Sequence, residues 1–286
     1  MNVSDLGLFG PESVTWRVHA DPALWFGGLR ALFLQALHPV AMAGVAAHSD
    51  YRGDPWGRLM RTADYVGVTT YGTTEDAGRA AARVRRIHAK LTAVDPDTGA
   101  VRRVDDPDLL LWVHCCEVES FLDTVRRAGM RINAAQADRY VAEQVSAARL
   151  VGLDPDRVEV PHDTAGLAAY FDQIRPVLRT TAPTYDALRF LAAPPMAWWV
   201  RYATPALPSW IGVVGLGFAL LPRWARRLYT HAPALPTTDL GATVALRTVR
   251  TALLALPAVV REGPHHRAAK ERTAAVPVRR LDVLPA

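Results

Sequence analysis

Apolar residues recur at three- and four-residue intervals over most of the chain, which is the spacing of an amphipathic helix. The segments with this spacing are residues 22–37, 40–47, 56–71, 74–92, 107–129, 134–151, 165–179 and 239–256. Residues 101–104 favour a short strand or an extended connector, and no alternating run is long enough to build a sheet. The pattern therefore predicts an all-α fold, a multi-helix globular bundle with few or no strands.

Prolines and capping residues mark the predicted helix ends. Pro39 interrupts the first helix after His38 and suits the first turn of the next one. Asp106 is a predicted cap for the long helix that begins at residue 107, and Asn133 begins a capping box. Beyond residue 182, prolines divide an apolar region into short helices. Its most apolar run, residues 210–221, is shorter than the roughly 20 residues that span a bilayer.

The 286 residues are half hydrophobic, which is typical of a folded globular protein. We expect an N-terminal extension over residues 1–20, one helical domain over 21–260 and a basic, flexible tail over 261–286. The only cysteines, Cys115 and Cys116, are adjacent and form no disulfide framework, which favours a reducing compartment. Because the N-terminal residues also lack the apolar core of a signal peptide, a cytoplasmic location is predicted, with no integral membrane segment.

The formal net charge of +5 comes almost entirely from arginines that are spread along the helices, often near acidic residues. Basic residues cluster only in the tail, from Arg261 to Arg280, where His265 and His266 are predicted to be solvated. No basic strand with interleaved aromatic residues and no DNA-reading helix accompanies this charge. We therefore predict no nucleic-acid partner.

Three histidines lie on apolar helix faces. His88 shares its face with Ala81 and Val84, His114 follows Leu110 along the longest helix, and His38 follows Leu34 at helical spacing. A single buried histidine is more often a hydrogen-bonded structural residue than a ligand. Three of them on separate helices instead favour a pocket in which a neutral imidazole binds heme iron.

A polar group begins the helix at residue 56. Arg58, Arg61 and Thr62 are three and four residues apart, so they project from one face and could contact a carboxylate or dioxygen. The alternative is a solvated face with a surface ion pair between this group and Asp64, and spacing alone favours that alternative.

A second metal chemistry competes with heme. His114 and Glu117, with Glu119 nearby, resemble part of a carboxylate-bridged di-iron site. Those sites need two Glu-x-x-His pairs and two further glutamates, whereas this chain has one pair in the reversed order. Zinc is less favoured still, because no Cys-x-x-Cys or His-Glu-x-x-His motif occurs.

Four motifs in order resemble a family of heme b oxygenases. The motifs are LQALHPVA at residues 34–41, DPWGRL at 54–59, RVRRIH at 83–88 and DPDLLLWVH at 106–114. The family includes the bacterial rubber oxygenase, or latex clearing protein, and a fungal oxygenase of mycophenolic acid biosynthesis. The resemblance covers residues 25–125, and the helices up to about residue 256 are similar in layout.

The resemblance implies an all-helical fold that holds heme b through an axial histidine, for which His88 is the best match. Rubber oxygenases carry Arg-x-x-Lys-Thr on the opposite side of the heme, and Arg58, Arg61 and Thr62 stand at the matching positions. The family's lysine can ligate iron, whereas arginine does not deprotonate readily enough to do so. This difference implies an open or water-bound distal site and a small hydrophobic substrate or secondary metabolite in place of an extracellular polymer.

The resulting hypothesis is a heme b-dependent oxygenase that uses dioxygen to oxidise or cleave a carbon–carbon double bond. His88 is the predicted metal ligand, Arg58 and Thr62 polarise dioxygen or hold a heme propionate, and Arg61 closes the pocket. His38 and His114 line the cofactor behind the ligand, with His38 the rival for the iron.

Two other classes of function stay open. One is a heme-binding sensor or carrier without turnover. The other is a helical scaffold that contacts membranes peripherally through Trp198, Trp199, Trp210 and the basic tail.

Overall fold

The computed structural model describes residues 5–49, 52–229 and 236–274. Its first half contains α1 (Val14–His19), α2 (Leu24–Gln35), α3 (Pro39–His48), α4 (Pro55–Tyr71), α5 (Thr74–His88), β1 (Thr92–Val94) and β2 (Val101–Arg103). Its second half contains α6 (Pro107–Arg127), α7 (Ala134–Val151), α8 (Thr164–Ile174), α9 (Ala182–Ala192), α10 (Trp198–Ala203), α11 (Ala206–Ala219), α12 (Arg223–Leu228), α13 (Pro236–Leu254), α14 (Ala258–Arg261) and α15 (Pro264–Ala274). The predicted all-α class is confirmed.

The predicted helix ends are found where the capping chemistry places them. The His38 side chain caps α3, the Asp106 carboxylate caps α6, and Asn133 forms a reciprocal capping box at the start of α7. The helix predicted over residues 74–92 ends earlier, at His88, because Thr92 begins the antiparallel β1–β2 hairpin. The hairpin keeps the end of α5 close to the start of α6.

Helix α6 is the axis of the bundle. Of its 21 residues, 13 are buried, and α2 packs along it more extensively than any other pair of helices in the described structure. Trp112 is completely buried, and its indole N–H donates to the Gln35 carbonyl at 3.1 Å. Cys115 and Cys116 lie in the same core as free thiols. Each fully buried large apolar side chain stabilises the fold by about 1.5–3 kcal/mol.

A buried arginine, Arg30, connects α6 to the end of α11. Arg30 of α2 is 1% exposed, and its guanidinium binds the Glu119 carboxylate of α6, the Ser120 hydroxyl at 2.7 Å and the Leu220 carbonyl at 3.0 Å. Gly217 of α11 lets that helix approach α2, since a Cβ at this position would lie 2.7 Å from the Cβ of Leu29. Helix α11 and the Leu220 that follows it are therefore held to α2 by both polar and steric complementarity.

The N-terminal extension expected over residues 1–20 contains part of the core. Helix α1 buries Val14 and Val18 against α6 and α7, and Glu143 of α7 accepts from two backbone N–H groups at the start of α1. The sequence prediction differs here because a six-residue helix shows too little periodicity to be recognised. Tertiary packing, together with the Ser13 cap, holds α1 in place.

The structure also differs from the flexible tail that was expected from residue 261. Helix α15 packs on α4, where Ala269 is buried with Trp16 and Tyr71, and His265 binds the Asp64 carboxylate at 2.7 Å. His265 is therefore an ordered contact of the helix and not a solvated tail residue. The sequence of α15 is mostly polar and only one small side chain of the helix is fully buried, so its packing on α4 could not be predicted from hydrophobic periodicity. The rest of the expected tail, residues 275–286, with Arg279 and Arg280, lies outside the described residues.

No single helix in the described ranges is both long enough and apolar enough to cross a membrane. The α2–α3 pair passes such a test on combined length and composition, but it is bent by 106° at its break. Most residues of α2 are buried inside the bundle, as expected of a core helix.

The Arg30–Glu119 pair predicts a large loss of stability when one partner is removed. Arg30→Met should lower the free energy of unfolding by about 3–5 kcal/mol, because it leaves the Glu119 carboxylate without its charge partner inside the protein. Urea denaturation monitored by circular dichroism measures this change. Arg79→Met, which removes an exposed ion pair of α5, should leave stability almost unchanged. Similar losses in both variants would contradict the role given to Arg30.

Candidate functional site

His88 lies at the last turn of α5, a helix that begins with a capping box between Thr73 and Asp76. The imidazole is half-buried, and burial lowers its pKa while Asp105 opposes the shift. Its Nδ1 atom is inaccessible to solvent and has no hydrogen-bond partner in the described part of the chain. A buried polar atom without a partner costs about 1–3 kcal/mol, so this nitrogen is suited to a ligand.

His114 faces the interior from the middle of α6. It is only 9% exposed, and burial alone lowers its pKa to about 4, so its imidazole is neutral at physiological pH. Two of the three histidines singled out in the sequence thus lie on different helices, with pKa values that burial lowers, which favours the neutral imidazole.

Glu117 follows His114 by one turn of α6. Burial raises the pKa of Glu117 to about 7, although a hydrogen bond from the Gln35 side chain opposes the shift. Burial and the nearby Glu117 charge raise the pKa of Tyr65 on α4 to about 12, and the Tyr65 hydroxyl is itself buried without a described partner. Helices α4 and α6 thus bring the Tyr65 hydroxyl and the Glu117 carboxyl close enough to interact electrostatically.

His38 is engaged at the start of α3. Its Nδ1 accepts from the Ala41 backbone N–H at 3.3 Å, and its ring lies 6.0 Å from that of Trp112. In the neutral imidazole only one nitrogen carries a lone pair, so this cap places the proton on Nε2. His38 has no free nitrogen lone pair while it caps α3, which makes it a weaker candidate for the iron than His88.

The polar group at the start of α4 is divided between interior and surface. Arg58 is half-buried, whereas Arg61 is exposed and binds the Asp54 carboxylate at 3.0 Å. The exposed Thr62 hydroxyl donates to the Arg58 carbonyl at 3.1 Å. The surface ion pair that spacing suggested does form, but its acid is Asp54, the cap of α4.

Two interior polar residues were not found by sequence reasoning. His19 of α1 binds the Thr70 hydroxyl at 2.7 Å and the Tyr140 hydroxyl at 3.1 Å, and burial lowers its pKa to about 3. The sequence gives no signal for it, because residues 1–20 are predicted to be an extension. Tyr65 lies seven residues after Arg58, the spacing of two helical turns, and that spacing was the available signal.

An apolar cavity of about 480 Å³ adjoins the N-terminal turn of α4. Trp56 forms its α4 side, and the rings of Trp56 and Trp210 are 4.5 Å apart. The Trp210 indole N–H donates to the Leu191 carbonyl at 2.8 Å, which fixes the wall formed by α11. Because Arg58 follows Trp56 by two residues, the cavity lies beside the helix that carries the arginine motif.

In the described ranges, no three His, Cys, Asp or Glu side chains meet closely enough to form a metal site by themselves. A prosthetic group that supplies its own equatorial ligands needs only one side chain from the protein. His88, with its unpartnered nitrogen, fits that requirement.

Comparison with protein families gives one match, over residues 16–254, to the family described as ER-bound oxygenase mpaB/B'/Rubber oxygenase, catalytic domain. No curated protein and no solved structure matches the chain. The family match includes α1 through α13 almost completely, and with them every candidate residue above. The chain therefore belongs to the family of mpaB and rubber oxygenase catalytic domains, a family of oxidoreductases.

Proposed function

We propose that the chain is a heme b-dependent oxygenase in which His88 would hold the heme iron. The observation that carries this proposal is the Nδ1 atom of His88, which is buried without a hydrogen-bond partner in the described residues. Burial also lowers the pKa of this imidazole, which favours the neutral form that metals bind.

The arginine motif of α4 would supply positive charge to the same site. Arg58 is half-buried and would bind a heme propionate or orient dioxygen, since a guanidinium donates several hydrogen bonds in a fixed plane. Arg61 and Thr62 are exposed, so we assign them to the solvent edge of the pocket, where Arg61 would close it. That closure requires Arg61 to leave Asp54.

Glu117 would hold a proton inside the protein. A carboxyl with a pKa of about 7 is partly protonated at neutral pH and can donate a proton from its Oε atoms. His114, one turn earlier on the same helix, is neutral, so it can donate from one ring nitrogen and accept at the other. We assign His114 and His38 to the lining of the cofactor pocket and not to the iron.

The substrate we propose is a small hydrophobic molecule with a carbon–carbon double bond, oxidised with dioxygen. Heme b, when bound, supplies the redox chemistry for this reaction, while the protein supplies ligation, orientation and exclusion of water. The apolar cavity beside Trp56 is of a size that fits such a substrate. A cytoplasmic location of the enzyme stays a prediction.

Replacing His88 should remove the heme. We expect His88→Ala to weaken heme binding by at least about tenfold, with loss or displacement of the Soret band. Because the side chain leaves a space of its own shape, added imidazole should restore the band. Absorption titration of the purified variant with hemin measures both effects.

His114→Ala and His38→Ala are the matched controls, since each removes an interior imidazole that we do not assign to the iron. Both should keep a Soret band. Equal loss of heme in all three variants, or normal heme binding by His88→Ala, would refute the ligand assignment. A protein that binds heme through His88 but consumes no oxygen with any unsaturated substrate would be a sensor or carrier.

The raised pKa of Glu117 predicts that the free energy of unfolding depends on pH. Its folded pKa is raised, so the folded protein holds more protons than the unfolded chain between pH 4.5 and about 7. The stability associated with neutral Glu117 is therefore fully present below pH 4.5 and is lost as pH rises through about 7. Glu117→Gln should remove this loss and stabilise the protein at pH 8 by on the order of 2 kcal/mol relative to the parent chain.

Glu159→Gln is the control, because Glu159 is an exposed glutamate. Thermal unfolding of the three proteins between pH 5 and pH 8 gives the comparison. If Glu117→Gln follows the same pH dependence as the parent protein, the carboxyl does not hold a proton in the folded state.

A further inference from the structure

The apolar segment that forms most of the cavity lining carries few charges, and all of them are positive. Residues 190–222 contain one charged side chain, Arg201. Between Asp186 and Asp239, every Asp, Glu, Lys or Arg is an arginine, and there are five of them. The segment therefore combines low charge with the absence of any acidic side chain.

Much of this segment lies on the surface. No residue of α10 is buried, and its exposed fractions reach 75% for Trp198, 56% for Trp199 and 78% for Tyr202. Ile211 on the adjoining α11 is 49% exposed. We name these four residues, with Arg201, the α10 surface. Contiguous exposed apolar side chains are rare on soluble proteins and mark a binding surface.

The composition of the α10 surface identifies its partner. Tryptophan and tyrosine combine a large apolar ring with a polar edge, and they concentrate at the depth of lipid headgroups. Arg201 stacks on the Tyr202 ring at 5.8 Å, which leaves its charge beside the aromatic residues. A surface with a cation and no acid complements anionic lipid headgroups.

The cavity shares its wall with the α10 surface. Eight of its nine lining residues belong to residues 195–213, and among them Ala197 and Val200 border or lie within α10. The ninth is Trp56, at the start of the helix that carries Arg58. The lining is almost entirely apolar, so an uncharged hydrocarbon would enter it without losing hydrogen bonds.

We propose that the α10 surface binds peripherally to an anionic lipid bilayer, and that the adjoining cavity takes up an apolar lipid from that bilayer. Helix α11 is a short apolar helix, so we infer that this region lies in the headgroup layer and does not cross the membrane. That the lipid is then oxidised rests on the proposed function, whereas the binding of bilayer and lipid does not.

Vesicle flotation tests the bilayer contact without any turnover. The full-length protein should float with phosphatidylcholine vesicles that contain phosphatidylserine, and less with phosphatidylcholine alone. Combined substitution of Trp198→Ser, Trp199→Ser and Tyr202→Ser should weaken this binding at least about tenfold, the equivalent of ~1.4 kcal/mol. Arg201→Gln should remove the preference for phosphatidylserine.

Val94→Ser with Val101→Ser is the matched control, because both valines are exposed on the β1–β2 hairpin, away from the α10 surface. This variant should float like the parent. Flotation that is unchanged by the triple substitution overturns the proposal. It is also overturned if the parent does not float and instead forms a dimer that the triple substitution dissociates, because a second copy then covers the surface.

Uptake into the cavity is tested with cis-parinaric acid, a fluorescent polyunsaturated chain. Parent protein should bind the probe, and Met196→Trp, which fills the cavity, should bind it at least about tenfold more weakly while floating normally. Equal probe binding by both proteins refutes the cavity as the lipid site. Because neither assay requires heme, a failure of the oxygenase proposal leaves these outcomes unaffected.

Discussion

The fold depends on one constraint, which is that α6 must be enclosed by protein on most of its circumference. Enclosure stabilises the bundle through Trp112 and its apolar neighbours, but it also brings His114 and Glu117 out of water. Because charge is costly in that environment, both side chains are driven toward their neutral forms. The same packing that holds the helices together therefore shifts the pKa values of His114 and Glu117, and no further charged partner is needed to shift them.

Capping residues and prolines predicted the helix ends that depend on interactions between neighbouring residues. His38 with Pro39, Asp106 with Pro107, and Asn133 with Gln136 fix helix ends through caps and missing donors, and those ends were found. Helices α1 and α15 escaped prediction because they are short or polar, so that contacts with other helices contribute most to holding them in place. The early end of α5 was missed for a related reason, since strand pairing at Thr92 overrides a continuing helical pattern.

In the candidate site, too, some features can be predicted from the sequence and others cannot. The inward faces of His88 and His114 follow from periodicity, and the family motifs point to the same residues. Helical periodicity does not predict which partner each polar atom will bind. The capping role of the His38 ring and the pairing of Arg61 with Asp54 depend on side-chain conformations at the start of α3 and α4, and the unpartnered hydroxyl of Tyr65 depends on how the helices pack. The sequence thus predicts which residues face inward, while the structure decides which of them remain available to a ligand.

The docking of α15 joins the two ends of the chain. Arg272 donates to the Asp5 carbonyl at 2.9 Å and to the Tyr71 carbonyl at 2.7 Å, so residues near both termini meet at the turn between α4 and α5. The family match stops at residue 254, ten residues before this helix begins. A protein shortened to that boundary would uncover Trp16 and Tyr71 and free the turn that precedes the His88 helix. Homology alone would therefore define too small a unit for expression.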